Sequence, residues 1–169
     1  CGLCVAVAAK AGLWNIGVDG QFYVGAIVAT GIALAMPEAP WFVVIPLMII
    51  LGALAAGIFC YIAVLPKLYL GISEILTTIL LNSVVLYFVR WLVYSSSWKD
   101  TTTIAAQSWN ISEMAELPVL ISGTRLHAGV LIAVVVILLM RFYLKRTVPG
   151  FQLQMVGANA KGAKYSGIN

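Results

Sequence analysis

Three groups of polar residues in this chain have types and spacings that chemistry could use. The first is the stretch Trp14-Asn15-Ile16-Gly17-Val18-Asp19-Gly20-Gln21. Asn15, Asp19 and Gln21 interrupt two apolar runs, and Gly17 and Gly20 allow an unwound backbone or a tight turn. Unwound backbone at membrane depth is tolerated where it faces protein or a water-filled cavity, and such breaks can bind solute or move during gating. The same residues also suit an ordinary turn, with Asp19 favouring the dipole of the next helix. The second group is Glu74, Thr78 and Asn82. Their spacing of four puts them on one helical face, with Thr77 and Ser83 beside them. That face either lines a polar pathway or supplies interhelical hydrogen bonds, which contribute about 0.6 kcal/mol on average in membranes. The third group is the polar, basic tail 150–169. Its run Val156 to Tyr165 suits a short surface helix, with Asn159 as N-cap and Gly167 as the left-handed residue beyond its end. A solvated loop, or a helix lying on anionic lipid, fits it equally.

Other chemistry finds little support. His127 stands alone beside Arg125, with no second ligand or nucleophile. Cys1 and Cys4 spell CxxC, but a metal or redox site needs a second ligand pair or a βαβ context, and both lie in an apolar run, as small buried residues would. Neither a phosphate-binding glycine loop nor a nucleophile elbow is present. The chain is therefore expected to hold no catalytic residue, metal or cofactor. If ATP drives it, a partner subunit binds the ATP.

The elements that must position these groups follow from composition. Of the 169 residues, 62 % are hydrophobic and 9 % charged, with a mean hydropathy of +1.02. A soluble domain of this size lacks the interior to hide so much apolar surface, so a soluble enzyme is excluded. An all-α, polytopic transmembrane bundle is expected, its spans at about 22–37, 41–65, 72–94 and 126–145. Residues 1–12 read as the second half of a truncated fifth span, and the chain as an internal piece of a longer protein. Pro66 is expected to end the second span. Residues 95–124 form a long outer loop rich in Ser and Thr (Ser95, Ser96, Ser97, Thr101, Thr102, Thr103), with a short helix at Ser112–Leu117.

The net charge of +4 carries topology rather than nucleic-acid binding, because no basic stripe forms. Lys10, Lys67, Arg141, Lys145, Arg146, Lys161 and Lys164 fall on one side, and Arg90, Lys99 and Arg125 on the other. The first side is expected to be cytoplasmic.

Three segments carry a family resemblance. Gly12-Leu13-Trp14-Asn15-Ile16-Gly17-Val18-Asp19-Gly20-Gln21 is similar to the signature GLFNIGAEGQ. Gly71 to Asn82 is similar to GANEVITTIMLN, and Gly157 to Ile168 to GENPEAARYAGI. Together, in this order, they resemble the permease subunits of ABC importers for nucleosides and simple sugars, within the larger branched-chain amino acid/ribose-type permease family. Departures include Asp19 for Glu, Ser73 for Asn, Gly162 for Ala, and Ala158 and Ala160 for an acidic residue and Pro.

The resemblance implies the membrane-spanning subunit of an ATP-driven importer, working by alternating access in a bacterial or archaeal plasma membrane. Its partners would be cytoplasmic ATPase subunits, a second permease subunit, an extracytoplasmic solute-binding protein and the lipid bilayer. Residues 1–169 would be one partial permease domain, with 147–169 as its cytoplasmic coupling segment. Asn15, Asp19, Gln21, Glu74, Thr78 and Asn82 are expected to line or gate the pathway. Gly157, Asn159, Lys161, Ala163, Tyr165 and Gly167 are expected to serve ATPase coupling. A branched-chain amino acid permease and a non-transporting membrane scaffold are the competing expectations.

Overall fold

The computed structural model describes every residue except 96, 122, 125 and 169. The expectations for Ser96 and Arg125 therefore lie outside the described residues. The described elements are helical: α1 (Gly2–Lys10), α2 (Val18–Ala35), α3 (Trp41–Leu70), α4 (Glu74–Ser95), a 3₁₀ turn (Glu113–Ala115), α5 (Gly129–Arg146), α6 (Val148–Ala158) and α7 (Ala160–Tyr165). The chain forms two compact units, one of residues 16–116 and the other of residues 1–15 with 117–169.

In the 16–116 unit, α2, α3 and α4 are each long and apolar enough to cross a membrane. The chain is thus a multi-pass, all-α membrane protein. Two boundaries differ from expectation. α2 begins at Val18 rather than near residue 22, so Asp19 and Gln21 lie in its first turn. α3 runs through Pro66 to Leu70 instead of stopping there. A proline removes one donor, but ending the helix would free several backbone groups, which is costlier where water is scarce. The stop comes at Gly71, whose φ of +67° suits glycine. Its N–H donates to the Lys67 carbonyl (3.2 Å), and the Ile72 N–H to that of Pro66 (3.3 Å). Lys67 Nζ then pairs with Glu74 Oε1 at 2.6 Å across the turn into α4.

α2 and α3 approach closely through small residues. A Cβ on Gly25 would lie 3.2 Å from the Gly52 carbonyl oxygen, and one on Gly52 would lie 3.1 Å from that of Gly25. Ala29 and Ala56, four residues on from each glycine, continue the seam, which lets dispersion act over the whole crossing. At the far end of this pair Ala33, Val44 and Ala115 form a buried cluster. Ala115 arrives there on the 3₁₀ turn, where Ser112 caps by accepting the Met114 N–H. The helix expected at Ser112–Leu117 is thus a single turn. Before it, Lys99 and Ser108 bridge in antiparallel fashion, with the Trp109 N–H donating to the Trp98 carbonyl (3.0 Å).

In the other unit, α5 corresponds to the span expected at 126–145 and equals α2 in length at eighteen residues, but it carries more charge than α2, α3 or α4. Three basic residues (Arg141, Lys145 and Arg146) occupy the end of its eighteen. Their aliphatic stems can lie along apolar surface while the charges reach water. α6 was not foreseen. Thr147 starts it, donating its hydroxyl to the Tyr143 carbonyl (2.7 Å) and accepting the Gly150 N–H (3.2 Å). Gln154 Nε2 then ties back to the Leu144 carbonyl (2.6 Å). The helix expected over 156–165 is two helices, broken at Asn159. Asn159 is extended (φ −158°, ψ 97°), ends α6 and caps α7 by accepting the Gly162 N–H.

Candidate functional site

The unwound stretch between α1 and α2 is tethered at both of its ends. In the unit containing the termini, α1 ends on Gly12 (φ +76°), with the Leu13 N–H donating to the Ala8 carbonyl at 3.0 Å. Gly157, near the end of α6, packs its backbone on this turn. A Cβ on Gly12 would come within 3.2 Å of Gly157 Cα, and one on Gly157 would overlap the Lys10 carbonyl oxygen and the Gly12 nitrogen. Only glycine fits on either side of such a contact.

In the 16–116 unit the second tether is the Asn82 carboxamide. Asn82 Oδ1 accepts the Gly20 N–H at 2.9 Å, and Nδ2 donates to the Ile16 carbonyl at 3.0 Å. The cause is local. α2 starts on Gly17, which has no side chain with which to cap its own first turn. Gly20 is the third helical residue, so its N–H is one of those a helix start leaves without an intrahelical partner. Asn82, 62 residues away on α4, supplies the missing cap. Gly20 is buried, and a Cβ there would lie 2.5 Å from Asn82 Oδ1 and 3.3 Å from Phe59 Cε1.

The remaining stripe residues are committed locally. Glu74 is 9 % exposed and holds Lys67. Thr78 is 3 % exposed and returns its hydroxyl to the carbonyls of Glu74 (2.8 Å) and Ile75 (3.0 Å). Thr77 and Ser83 likewise donate to Ser73 and Ile79, one turn back. By the bonds described, Glu74 reaches the end of α3 across a short turn, whereas Asn82 reaches a stretch more than sixty residues away. It meets the backbone of the unwound stretch rather than its polar side chains. Asn15 is half-buried and donates weakly to Cys4 Sγ (3.8 Å), Asp19 is exposed, and Gln21 is buried.

Of the tail residues, Lys161 and Tyr165 are exposed, Tyr165 at 94 %. Asn159 is exposed but its side chain is engaged as the α7 cap. Ala163 differs from expectation. At 1 % exposure it packs α7 against its own unit and does not face outward. Gly167 (φ +80°) closes α7, with the Ile168 N–H donating to the Ala163 carbonyl.

In the loop 99–108, Asp100 is buried, with Oδ1 accepting from the Thr102 hydroxyl (2.5 Å) and N–H (2.8 Å). These bonds, with a longer one from Gln107, outweigh desolvation and hold its carboxyl below the ordinary value of 3.8. Among the described residues, no group of three or more His, Cys, Asp and Glu side chains could hold a metal, and Cys1, Cys4 and Cys60 form no disulfide.

Sequence reasoning found Asn82 from its depth and the glycines from their motifs. It missed that the glycines are contact points: Gly12 opens the first motif, Gly157 opens the third, and the two touch. It also missed the Lys67–Glu74 pair, whose signal is opposite charges flanking a glycine helix stop.

A family model described as branched-chain amino acid transport system / permease component matches residues 1–169. The chain is 33 % identical over 177 residues to the nucleoside ABC transporter permease protein NupB of Lactococcus lactis, covering 99 % of this chain and 48 % of that protein. It is 29 % identical over 170 residues to the guanosine ABC transporter permease protein NupP of Bacillus subtilis, covering 99 % and 48 %. It is 29 % identical over 178 residues to the glucose ABC transporter permease protein TsgB13 of Haloferax volcanii, covering 99 % and 46 %. The chain thus spans about half the length of the curated relatives it matches. No solved structure matches it.

Proposed function

This chain belongs to the branched-chain amino acid transport system / permease component family, and from that premise we propose that it forms part of the membrane-spanning subunit of an ATP-driven importer of nucleosides. The relatives named for nucleosides and guanosine support that solute class. One observation carries the mechanism: the unwound stretch is tied at Gly12 to the end of α6 and at Ile16 and Gly20 to Asn82 of α4. A pull on the tail reaches α4 through a few residues of chain. In this reading cytoplasmic ATPase subunits bind ATP and engage α7 through its exposed Lys161 and Tyr165. Their closure moves α6, and the bundle changes the side on which it opens. The chain itself binds no cofactor.

A second permease subunit and an extracytoplasmic solute-binding protein complete the assembly in the plasma membrane. The excess of Lys and Arg beside Lys10, Lys67 and the tail supports a cytoplasmic position for 147–169. Asn15, Asp19, Gln21, Glu74, Thr78 and Asn82 line or gate the pathway, with Asn82, which ties α4 to the start of α2, as the joint. A second reading, branched-chain amino acid import, draws on the family description.

The test is uptake by the intact permease, reconstituted in liposomes with its ATPase and binding protein. Labelled nucleosides, pentoses, hexoses and branched-chain amino acids are offered with and without internal ATP. ATP-dependent accumulation of nucleosides is expected. Accumulation of branched-chain amino acids alone would replace this reading with the second, and none of any solute would favour a scaffold.

A further inference from the structure

Toward the Ser95 end of α4, an open cavity of about 110 Å³ is bordered by α2, α4 and the loop after α4. Tyr23, Thr30, Val89, Val93, Trp98 and Ser108 are among its lining residues. It continues the face that bears the Asn82 tether. Val89 and Val93 follow Asn82 by seven and eleven residues, which a helix places on the same side. On α2, Tyr23 and Thr30 follow Gly20 by three and ten residues. The cavity therefore begins beyond the tether and extends outward between the two helices that the tether joins.

Its walls combine two chemistries. The body is aliphatic, and Trp98 lies at one end with its indole against Gly31, where a Cβ would come within 3.2 Å of Cζ2. Tyr23, Thr30 and Ser108 add three hydroxyls, none of which is hydrogen-bonded among the described residues. Thr30 contrasts with Thr77, Thr78 and Ser83 on α4, which all return their hydroxyls to the preceding turn. That return is the usual outcome for a helical Ser or Thr. An acyl chain in this cavity would cover the half-buried hydroxyls of Thr30 and Ser108 without giving them partners. A flat heteroaromatic ring satisfies both chemistries, giving its faces to Trp98 and the valines and its edge to the hydroxyls. A dry cavity of about 150 Å³ holds one benzene ring, so a space of about 110 Å³ takes the edge of a flat ring system, the rest of which projects through its open mouth.

We propose that this cavity is a subsite for the base of the transported nucleoside, with Thr30 and Tyr23 as its specificity-determining hydrogen-bond groups. The proposal rests on the nucleoside reading above. The experiment uses the intact permease assembled with its ATPase and binding protein in liposomes. An azido-substituted guanosine is photolysed during turnover, and the labelled peptides are identified. Label is expected on peptides containing Tyr23, Thr30 or Trp98, displaced by unlabelled guanosine. Label confined to peptides from other helices would overturn the subsite.

In the same system T30V should lower both labelling and guanosine uptake at limiting solute by roughly two- to tenfold, the net worth of one hydrogen bond. T30S should stay near wild type. Equal losses in T30V and T30S would show a packing role and overturn the assignment, as would equal activity in T30V and wild type. Should T30V fail to assemble, Y23F, at a side chain already 37 % exposed, carries the same test with the same expected loss. Wild-type protein that takes up no nucleoside would instead overturn the nucleoside reading, and the subsite with it.

Discussion

Removing the Asn82 carboxamide should loosen the start of α2 without unfolding the bundle, and the size of the effect can be worked out. Asn82 makes two hydrogen bonds, to the Gly20 N–H and the Ile16 carbonyl. Each contributes about 0.6 kcal/mol by membrane averages or about 1 kcal/mol by those of soluble proteins. Gly20 is buried, so water reaches its freed N–H poorly, which adds about 1 kcal/mol. Asn82→Leu, which keeps the volume and removes both bonds, should therefore destabilise the permease by about 2–3 kcal/mol. The helices α2 and α3 still hold each other through the Gly25–Gly52 seam. The assay is denaturant unfolding of the purified intact permease, alongside ATP-driven uptake. Lowered stability with weakened uptake and retained assembly is expected. Gly20→Ala gives an independent check, because its methyl would displace Asn82 Oδ1. If the reasoning holds, Gly20→Ala costs about 1–2 kcal/mol less in the Asn82→Leu background than alone, since the bond it breaks is already gone. Strictly additive costs, or normal uptake and stability in Asn82→Leu, would refute the tether.

Three further outcomes follow from the same geometry. Gly157→Ala places a methyl inside the turn at Lys10–Gly12, so it should destabilise by about 1–3 kcal/mol and leave ATP hydrolysis running with less transport; tightly coupled hydrolysis in this variant would remove the contact from the relay. Gly52→Val should force α2 and α3 apart and impair assembly, measured as loss of the folded fraction in detergent, whereas Gly57→Ala, with open space around it, should be silent. Asp100 has a folded pKa below its ordinary 3.8, so its contribution to the 99–108 loop is present above that value and lost as pH falls through the lower, folded one. The Thr102 amide resonance should therefore hold steady from neutral pH down to about 4 and shift only below it, and Asp100→Asn should abolish the shift.

Sequence reached the fold where one physical term dominated. α2, α3 and α4 were legible because apolar length alone decides insertion. Boundaries failed where a second term competed. Pro66 read as a stop because its cost is local and visible in sequence, while the opposing cost of freeing backbone groups away from water depends on surroundings. The α5–α6 elbow was missed although Thr147 and Pro149 mark a helix start, because the span appeared to run on into a basic tail.

The site divides along the same line. Asn82 was singled out because an amide at mid-span demands a partner, and that demand is readable from depth. Its partner was not readable, because it is backbone. A side chain's hydrogen-bonding needs are written in the sequence, but the unmet N–H of Gly20 arises only once α2 starts at Gly17, with no side chain to cap it. Glu74 and Thr78 share Asn82's face yet differ from it in fate, one finding Lys67 across a turn and the other its own helix. Helical periodicity assigns residues to a face without saying whether each is already satisfied there. Thr30 is the converse case. Its position in an apolar run draws no attention beside the denser stripe on α4, yet it keeps an open hydroxyl in a cavity. In this membrane protein the informative polar residue is therefore the one whose needs its own helix leaves unmet. On α4 that residue ties down the unwound stretch, and on α2 it faces the space where the proposed solute would lie.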